Sequence, residues 1–264
     1  MIPLNRESFL DKTFSIRVVL MENPTHASRP RAIAEASLRR LPAYHHLLEE
    51  MMIAGVPFVS CGGIGRALNL DPTQVRKDIE ATGIIGKPKV GYPLPALVHW
   101  IEDFLGWNNT KEAVLAGAGS LGNALLGYQK FRQFGINIVA AFDTDPEKFG
   151  ALIYGKWVLP LEQLRDFTHE RHIHLGVIAT PSAAAQSVAD LMVAGGVRAI
   201  WNFAPVHLRV PDLVILQNED LYPSLASLSF KLEKRMVEER DAAMASAVNP
   251  AADVQNPDPD RSNS

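Results

Sequence analysis

The chain reads A-V-L-A-G-A-G-S-L-G from Ala113 to Gly122, and a second apolar run ends at Asp143. The first four residues form a short apolar run of the kind that makes a buried parallel strand. Gly117, Gly119 and Gly122 follow in G-x-G-x-x-G spacing, and apolar residues then recur at helical spacing. Asp143 stands about 20 residues beyond the last glycine, where an acid follows the second strand of such units. The stretch therefore predicts a dinucleotide-binding βαβ unit.

The glycines and the acid of this stretch each have a role in binding a dinucleotide. Gly117 permits a tight turn, Gly119 lets the backbone approach a pyrophosphate, and Gly122 lets the helix pack closely on the strand. The free N–H groups at the helix N-terminus attract phosphate. A carboxylate at Asp143 can accept hydrogen bonds from ribose hydroxyls and would repel a 2′-phosphate, which favours NAD(H) over NADP(H). The alternative is an ordinary tight turn between a strand and a helix.

Composition narrows the class of protein. The chain has 264 residues, a net charge of −3 and 47% hydrophobic residues, which is typical of a globular protein of one large or two modest domains. Its one cysteine excludes a disulfide within the chain and suits a reducing cytoplasm. We expect a cytoplasmic protein without a signal peptide, a membrane span or a metal site, because no apolar run of about 18 residues and no cysteine/histidine cluster is present.

The N-terminal part of the chain predicts helices and a hairpin. Helices are expected over about 34–54, 60–68 and 71–82, followed by a hairpin over 84–92. Pro42 should interrupt the first helix or kink it. Asp71 is a strong N-cap, and Gln74 is placed to complete a capping box.

Three helices followed by a basic hairpin outline a winged helix, whose third helix would enter a major groove. Thr73 and Gln74 are the candidates for reading base edges, and the expected phosphate contacts come from basic side chains on the third helix and the hairpin: Arg76, Lys77, Lys87 and Lys89. A helical protein-interaction domain with a charged face fits the same spacing equally well.

Strands and helices alternate after the glycine loop, which predicts a doubly wound parallel sheet of the Rossmann type. The last helix carries an apolar stripe, formed by Leu225, Leu228, Leu232 and Met236, that has no evident place on its own subunit. We divide the chain into a partly disordered extension (1–33), a winged-helix domain with a linking helix (34–106), a Rossmann domain (107–221), a dimerisation helix (222–247) and a disordered tail (248–264).

Six short motifs are more specific than the glycines alone: R-R-L-P-A-Y (39–44), V-R-K-D (75–78), G-A-G-S-L-G-N-A-L-L-G-Y (117–128), A-A-F-D-T-D-P-E-K-F-G (140–150), N-F-A-P-V (202–206) and L-S-F-K-L (228–232). Together they resemble the Rex family of redox-sensing transcriptional repressors over residues 37–232.

The resemblance implies a homodimer that swaps its C-terminal helices, binds operator DNA at an inverted repeat and is released by NADH. It assigns the adenosine and pyrophosphate of the cofactor to the glycine loop and to the end of the second strand: Gly117, Ala118, Gly119, Ser120, Leu121, Gly122, Asp143 and Thr144. It places Thr180, Pro181, Asn202, Phe203 and Ala204 near the nicotinamide. It makes Tyr128 and Asp220 the residues that switch between the DNA-bound and released forms; the alternative is that Tyr128 packs the first helix and Asp220 caps the last.

Three positions depart from the family pattern. Ser120 replaces an arginine or asparagine of the glycine loop, which changes details of the switch. Gly62 and Gly63 stand where helix formers are usual, and the hairpin reads Lys87–Pro88–Lys89 where an arginine and a glycine are usual. The last two departures leave the operator sequence open.

Two other functions share the predicted sheet. An NAD-dependent dehydrogenase would need a proton donor beside the nicotinamide. His207 alone stands near that end, while His169, His172 and His174 are expected at the surface. A CoA-binding Rossmann module is the third possibility, although its phosphate loop need not be followed by an acid such as Asp143. We therefore expect a sensor and not an enzyme.

Overall fold

The computed structural model describes residues 33–220 and 222–248, and these form two compact units that divide between residues 101 and 102. The predicted N-terminal extension and C-terminal tail lie outside the described residues, apart from residues 33 and 248. Each unit is described by itself below.

The first unit packs three helices against a two-stranded sheet. Its elements are α1 (Glu35–Ile53), β1 (Phe58–Val59), α2 (Cys61–Leu68), α3 (Pro72–Ala81), β2 (Tyr92–Pro93) and the start of α4 (Leu94–Phe104). The core contains fully buried side chains from each helix, among them Leu41, Tyr44, Leu48, Ile64, Val75, Ile79, Leu94 and Leu97. Ser60 caps α2 by accepting the Gly63 N–H, and Asp71 caps α3. The three predicted helices are confirmed.

The structure differs from the sequence predictions at Pro42 and at the hairpin. Helix α1 runs through Pro42 as one element, because the buried side chains on both sides of the proline hold the helix together, so the predicted interruption was wrong and the predicted kink stays a prediction. The hairpin of residues 84–92 is reduced to one bridge between Lys87 and Gly91, and β2 pairs instead with β1, the segment after α1. The wing is thus a tight turn attached to a β1–β2 ribbon.

The second unit is built on one sheet. Among the described residues seven strands join in the order β5-β6-β4-β3-β7-β8-β9, with bounds β3 (Lys111–Ala116), β4 (Ile136–Asp143), β5 (Leu152–Ile153), β6 (Lys156–Pro160), β7 (Leu175–Ile178), β8 (Ala199–Asn202) and β9 (Ile215–Asn218). All pairs are parallel except β5–β6. The strand order reverses direction at β3, which confirms the doubly wound prediction. The two-residue edge strand β5 was not predicted.

Strand β3 is buried on both faces of this sheet. Val114 and Ala116 pack with α6 (Leu164–Glu170) and α7 (Ser182–Ala194), whereas Ala113 and Leu115 pack with α5 (Ser120–Gly127). This explains why the strand reads as a continuous apolar run.

Helix α8 (Tyr222–Val248) follows the sheet. Its apolar side chains are more than half exposed at Leu225, Leu228, Leu232 and Met236. Within residues 33–220 and 222–248, no helix combines the length and apolar character that a membrane crossing requires.

Candidate functional site

The glycine loop makes the turn from β3 into α5. Gly117 has φ of +99°, and a Cβ there would lie 2.5 Å from the Ala179 carbonyl oxygen. A Cβ on Gly122 would lie 1.8 Å from the Gly117 carbonyl oxygen, so only glycine fits at either position. A Cβ on Gly119 would meet nothing within 4 Å. The loop is therefore tightly packed at its two ends and has open space at its middle glycine, where a ligand can approach the backbone.

The Asp143 carboxylate closes the end of β4 against this loop. Its Oδ2 accepts the Ala118 N–H at 2.8 Å and the Lys148 ammonium at 3.1 Å, and its Oδ1 accepts the Asp145 N–H at 2.9 Å. Burial raises the pKa of this carboxyl, but the Asp145 N–H, the Lys148 ammonium and the Ala118 N–H outweigh burial and hold the pKa below its usual value. Asp143 is therefore an oriented carboxylate anion at the glycine loop.

Lys148 is a residue that the sequence reasoning missed. It belongs to the motif at 140–150, five positions after Asp143, and the turn at Asp145–Pro146 brings its ammonium back to the acid. The signal was present in the motif, but linear spacing did not show which charge the lysine would meet.

A cleft of about 70 Å³ lies at the carboxyl ends of β3, β4 and β7. It is lined by Gly117, Asp143, Thr144, Thr180 and Pro181 among others, so two groups of predicted cofactor residues meet there. The Thr180 hydroxyl oxygen is buried and has no hydrogen-bond partner among the described residues. A buried hydroxyl without a partner at a cleft that Asp143 also lines fits a polar ligand there.

The segment after β8 is held by Asn202. Its buried side-chain amide donates to the carbonyl oxygens of Ala204 and Val206 and to the Asn218 side chain, and its oxygen accepts the Ala204 N–H. The amide thus shapes the N-F-A-P-V turn. Register places Asn202 beside Ile178 of β7, one strand further from the glycine loop.

The two predicted switch residues do not meet within one chain. Tyr128 follows α5, is 48% exposed and lays its ring against Phe131 at 4.9 Å between centroids. The Asp220 carboxylate accepts the Tyr222 N–H at 2.8 Å, at the start of α8. No hydrogen bond joins Tyr128 to Asp220 in the described part of a single chain.

In the first unit, helix α3 is joined to α1 through Asp78. Arg40 donates to both carboxylate oxygens at 2.7 and 2.9 Å, Tyr44 donates at 2.6 Å, and Gln74 donates through its amide at 2.8 Å. Burial opposes ionisation of Asp78, but hydrogen bonds from Arg40 and Tyr44 hold its pKa well below the usual value. Two motifs quoted above, 39–44 and 75–78, are thus parts of one buried network.

This network corrects the role expected of Gln74 in capping. Asp71 caps α3 by accepting the N–H groups of Thr73 and Gln74, but the Gln74 side chain turns to Asp78 and does not complete a capping box. The predicted base-reading residue therefore has its amide nitrogen engaged inside the protein and keeps its amide oxygen as an acceptor.

The four predicted phosphate-binding residues are exposed: Arg76 and Lys77 on α3, and Lys87 and Lys89 on the wing. Thr73, a predicted base-reading residue, is also exposed. None of the four cations forms an ion pair with another described residue. Lys87 lies 5.9 Å from the centroid of the Phe58 ring on β1. Lys89 takes φ of +64°, a left-handed conformation that favours glycine, and a glycine is usual within residues 87–89 in the family pattern. The first unit therefore presents four exposed cations, and Lys77 is near enough to Asp71 to help lower the pKa of that carboxyl.

Comparison with protein families matches each unit separately. The family model described as "CoA binding domain" matches residues 108–206, and the model described as "Putative DNA-binding protein N-terminus" matches residues 32–79. The first match covers the glycine loop, Asp143 and strands β3 to β8, and the second covers α1, α2 and most of α3.

Whole-chain relatives carry both units together. A redox-sensing transcriptional repressor Rex of Treponema denticola is 42% identical over 208 residues, covering 79% of this chain and 99% of the relative. Its counterpart in Bacteroides fragilis is 37% identical over 218 residues, covering 83% and 99%.

Solved structures agree with these relatives. RSP, described as a Rex-family repressor, has been solved with β-NAD⁺ and operator DNA. That structure matches this chain with a TM-score of 0.74 and 33% sequence identity. The match covers 80% of this chain and 98% of the RSP chain. The structure of RSP with β-NADH matches with a TM-score of 0.71 and 34% sequence identity, and the match covers 79% of this chain and 98% of the RSP chain. Because its fold and motifs agree with these proteins, and because the matches cover nearly the full length of the relatives, this chain belongs to the Rex family of redox-sensing transcriptional repressors.

Proposed function

We propose that the chain represses transcription by binding operator DNA as a homodimer and that NADH releases it from the DNA. The observation that carries the proposal is the presence in one chain of a glycine-loop cleft with an oriented Asp143 and of a separate helical unit with four exposed cations. Support comes from RSP, which has been solved both with β-NAD⁺ and operator DNA and with β-NADH. Because the family consists of transcriptional repressors, the dehydrogenase alternative is not favoured.

The cofactor proposal is NAD(H) at the cleft of the second unit. The N–H groups of the glycine loop would face the pyrophosphate, Asp143 and Thr144 would face the adenosine ribose, and the Thr180 hydroxyl would find its hydrogen-bond partner on the ligand. The nicotinamide side is assigned to Thr180, Pro181, Asn202, Phe203 and Ala204. Calorimetry with NADH and NADPH tests the role of Asp143, since NADPH should bind much more weakly; comparable affinities would remove the ribose assignment.

A CoA ligand is the second candidate, and the family-model match over residues 108–206 is the observation that favours it. The acid at the end of β4 argues for a ribose diol instead, because a carboxylate repels the 3′-phosphate that CoA carries near its ribose. Adding CoA to the same calorimetric series separates the two: NADH should bind, and CoA should not displace it.

The DNA proposal places α3 in the major groove and the wing on the backbone. Arg76, Lys77, Lys87 and Lys89 would contact phosphates, which position the protein without reading sequence. Thr73, and Gln74 through its free amide oxygen, would read base edges. If Arg76→Ala left both affinity and salt dependence unchanged, this orientation would be wrong, since each lost phosphate contact should lower the salt slope by about one.

The dimer proposal assigns the exposed apolar stripe of α8 to the partner subunit. Four side chains that are each more than half exposed are unfavourable in water, and a second copy offers the same stripe with matching symmetry. A chain cut after Tyr222 should sediment as monomer or aggregate. A well-behaved dimer from the cut chain would refute the swap.

The central experiment is a binding assay on operator DNA. A duplex is first selected by the protein from a random-sequence library, and its enriched sequence should be an inverted repeat. Fluorescence anisotropy then gives the Kd for this duplex without cofactor, with NAD⁺ and with NADH. NADH should raise the Kd and NAD⁺ should not; equal Kd values in all three conditions would refute the proposed function.

A further inference from the structure

Four aromatic side chains form a continuous row across the face of the sheet that bears α5. Tyr128 meets Phe131 at 4.9 Å, Phe131 meets Trp201 at 5.5 Å, and Trp201 meets Phe203 at 4.7 Å between ring centroids. The first two contacts are edge-to-face, and the third is tilted. We call these residues the aromatic row.

The row begins and ends at residues with separate proposed roles. Phe203 belongs to the segment assigned to the nicotinamide side of the cofactor, and Tyr128 is assigned to the switch. Phe131 and Trp201 have neither role, yet they are the contacts that join the two ends. Both are partly buried and pack on the apolar cluster around Leu115 and Leu126.

Trp201 also contacts the residue that precedes Asp220, the second switch residue. Its indole N–H donates to the Glu219 carboxylate at 2.8 Å, and Glu219 immediately precedes Asp220. The Glu219 N–H in turn donates to the Asn202 carbonyl oxygen at 2.8 Å. The ends of β8 and β9 are therefore linked through one ring and one carboxylate, directly before α8 begins.

Packed rings can transmit a displacement from one end of the row to the other. We call this transmission through Phe131, Trp201 and Glu219 the relay. Rings in edge-to-face contact move together because each occupies the space that its neighbour would need, and such contacts hold discrete arrangements. A displacement of Phe203 would press on Trp201, and a movement of Trp201 would disturb its contact with Phe131 and its hydrogen bond to Glu219. Coupling between the two ends of the row is a free energy that can be measured by substituting residues in the middle.

We propose that Phe131, Trp201 and Glu219 are positioning residues that transmit the redox state of the cofactor from the nicotinamide side to Tyr128 and Asp220. The inference rests on the proposed function, since it names the connection inside the sensor. It is independent of how tightly NADH binds, because none of the three residues belongs to the proposed cofactor set.

The test compares two quantities in full-length variants: the Kd for NADH, and the ratio of operator Kd with NADH to operator Kd with NAD⁺. Phe131→Leu and Glu219→Met should lower the ratio at least about five-fold while leaving the Kd for NADH within about two-fold. Glu219→Gln keeps an acceptor for the indole and should retain the wild-type ratio. Phe134→Leu is the matched control, because the Phe134 ring contacts Trp107 in a tilted arrangement at 4.6 Å between centroids and lies outside the row.

A spectroscopic readout covers the case in which a variant does not fold. The chain has four tryptophans, so a ¹⁵N spectrum of the wild type shows four indole N–H signals. The signal that moves in Glu219→Met, or disappears in Trp201→Phe, belongs to Trp201. That signal should differ between the NAD⁺ and NADH forms of the wild type.

Three outcomes are distinguishable. If wild-type protein fails to leave operator DNA with NADH, the proposed function fails and the relay with it. If the wild type responds and both Phe131→Leu and Glu219→Met respond identically to it, the relay is overturned and the proposed function stands. An indole signal of Trp201 that is the same with both cofactors would overturn the relay as well.

Discussion

Arg40 and Asp78 meet as a two-point ion pair, although 38 residues separate them in the chain. The Asp78 carboxylate is fully buried, and the Arg40 side chain is 26% exposed. The pair fixes α3, the proposed recognition helix, to α1, so the angle at which α3 is presented depends on a contact that DNA does not touch. Removing one partner of such a pair leaves a buried charge without compensation.

Arg40→Met should therefore destabilise the first unit by about 3 kcal/mol, the lower end of the range for breaking a buried pair. Hydrogen exchange at the α3 amides measures this locally. Arg39→Met is the matched control, because Arg39 pairs with Glu35 while both side chains are more than 60% exposed, and such pairs contribute less than about 1 kcal/mol. Equal loss of protection in both variants would contradict a special role for the buried pair.

Acid should weaken the same contact. The folded pKa of Asp78 lies below the unfolded value of about 3.9, so its contribution to stability is complete above that value and is lost as pH falls toward the folded pKa. Urea unfolding between about pH 5 and pH 3 should show a decline that is smaller in Asp78→Asn, which has no charge to lose. The same decline in both proteins would assign the acid sensitivity to other carboxylates.

Two of the three glycines of the cofactor loop, Gly119 and Gly122, should respond differently to one methyl group. Gly119 has φ of −86° and open space, so Gly119→Ala should keep the folding stability while the new Cβ occupies the proposed pyrophosphate path and weakens NADH binding at least about ten-fold. Gly122→Ala places Cβ 1.8 Å from a backbone oxygen and should cost more than about 2 kcal/mol of stability. Calorimetry and thermal unfolding give both quantities; unchanged NADH affinity in Gly119→Ala would move the pyrophosphate elsewhere.

The wing contains a similar contrast at Lys89. Its φ of +64° costs a non-glycine residue about 1 kcal/mol, so Lys89→Gly should stabilise the turn, whereas Lys89→Ala should not. Both variants lose the cation and should lower the salt slope of DNA binding by about one. A normal salt slope in both would mean that the wing does not reach the phosphates.

The switch itself can be tested at Tyr128. Moving operator occupancy from about 99% to about 1% needs about 5.5 kcal/mol of differential affinity across the dimer. Tyr128→Phe removes one hydroxyl and keeps the ring contact with Phe131, so we expect an unchanged fold, unchanged NADH binding and a blunted release from DNA. Release at the wild-type NADH concentration would leave Tyr128 with a packing role only.

The sequence predicted the second unit more accurately than the first. Parallel strands buried on both faces are short apolar runs, and glycines such as Gly117 and Gly122 are required by backbone geometry, so their pattern is visible without a structure. Pro42 was judged by its local effect on a helix, whereas burial of Leu41 and Tyr44 decides the outcome. The partner strand of the wing lies more than 30 residues back in the chain, which no local pattern indicates.

The sequence predicted which residues belong to the candidate sites, but it did not predict which side chains those residues contact. Asp143 was expected to face a ligand, and its bonds to Ala118 and Lys148 depend on how a turn folds back. Gln74 was expected to face DNA, and its bond to Asp78 depends on the packing of two helices. Pairing between side chains is set by tertiary structure, so spacing identifies candidates and leaves their partners open.

The exposed stripe of α8 has a consequence for protein abundance. If the stripe is covered only by a second subunit, the free energy of unfolding includes the free energy of association, and each ten-fold dilution lowers it by about 1.4 kcal/mol of dimer. A transcriptional regulator is needed in few copies, so dilution and stability oppose each other in this chain. The cellular lower limit on its copy number would then be set by the half-life of the unpaired subunit as well as by the number of operators to be filled.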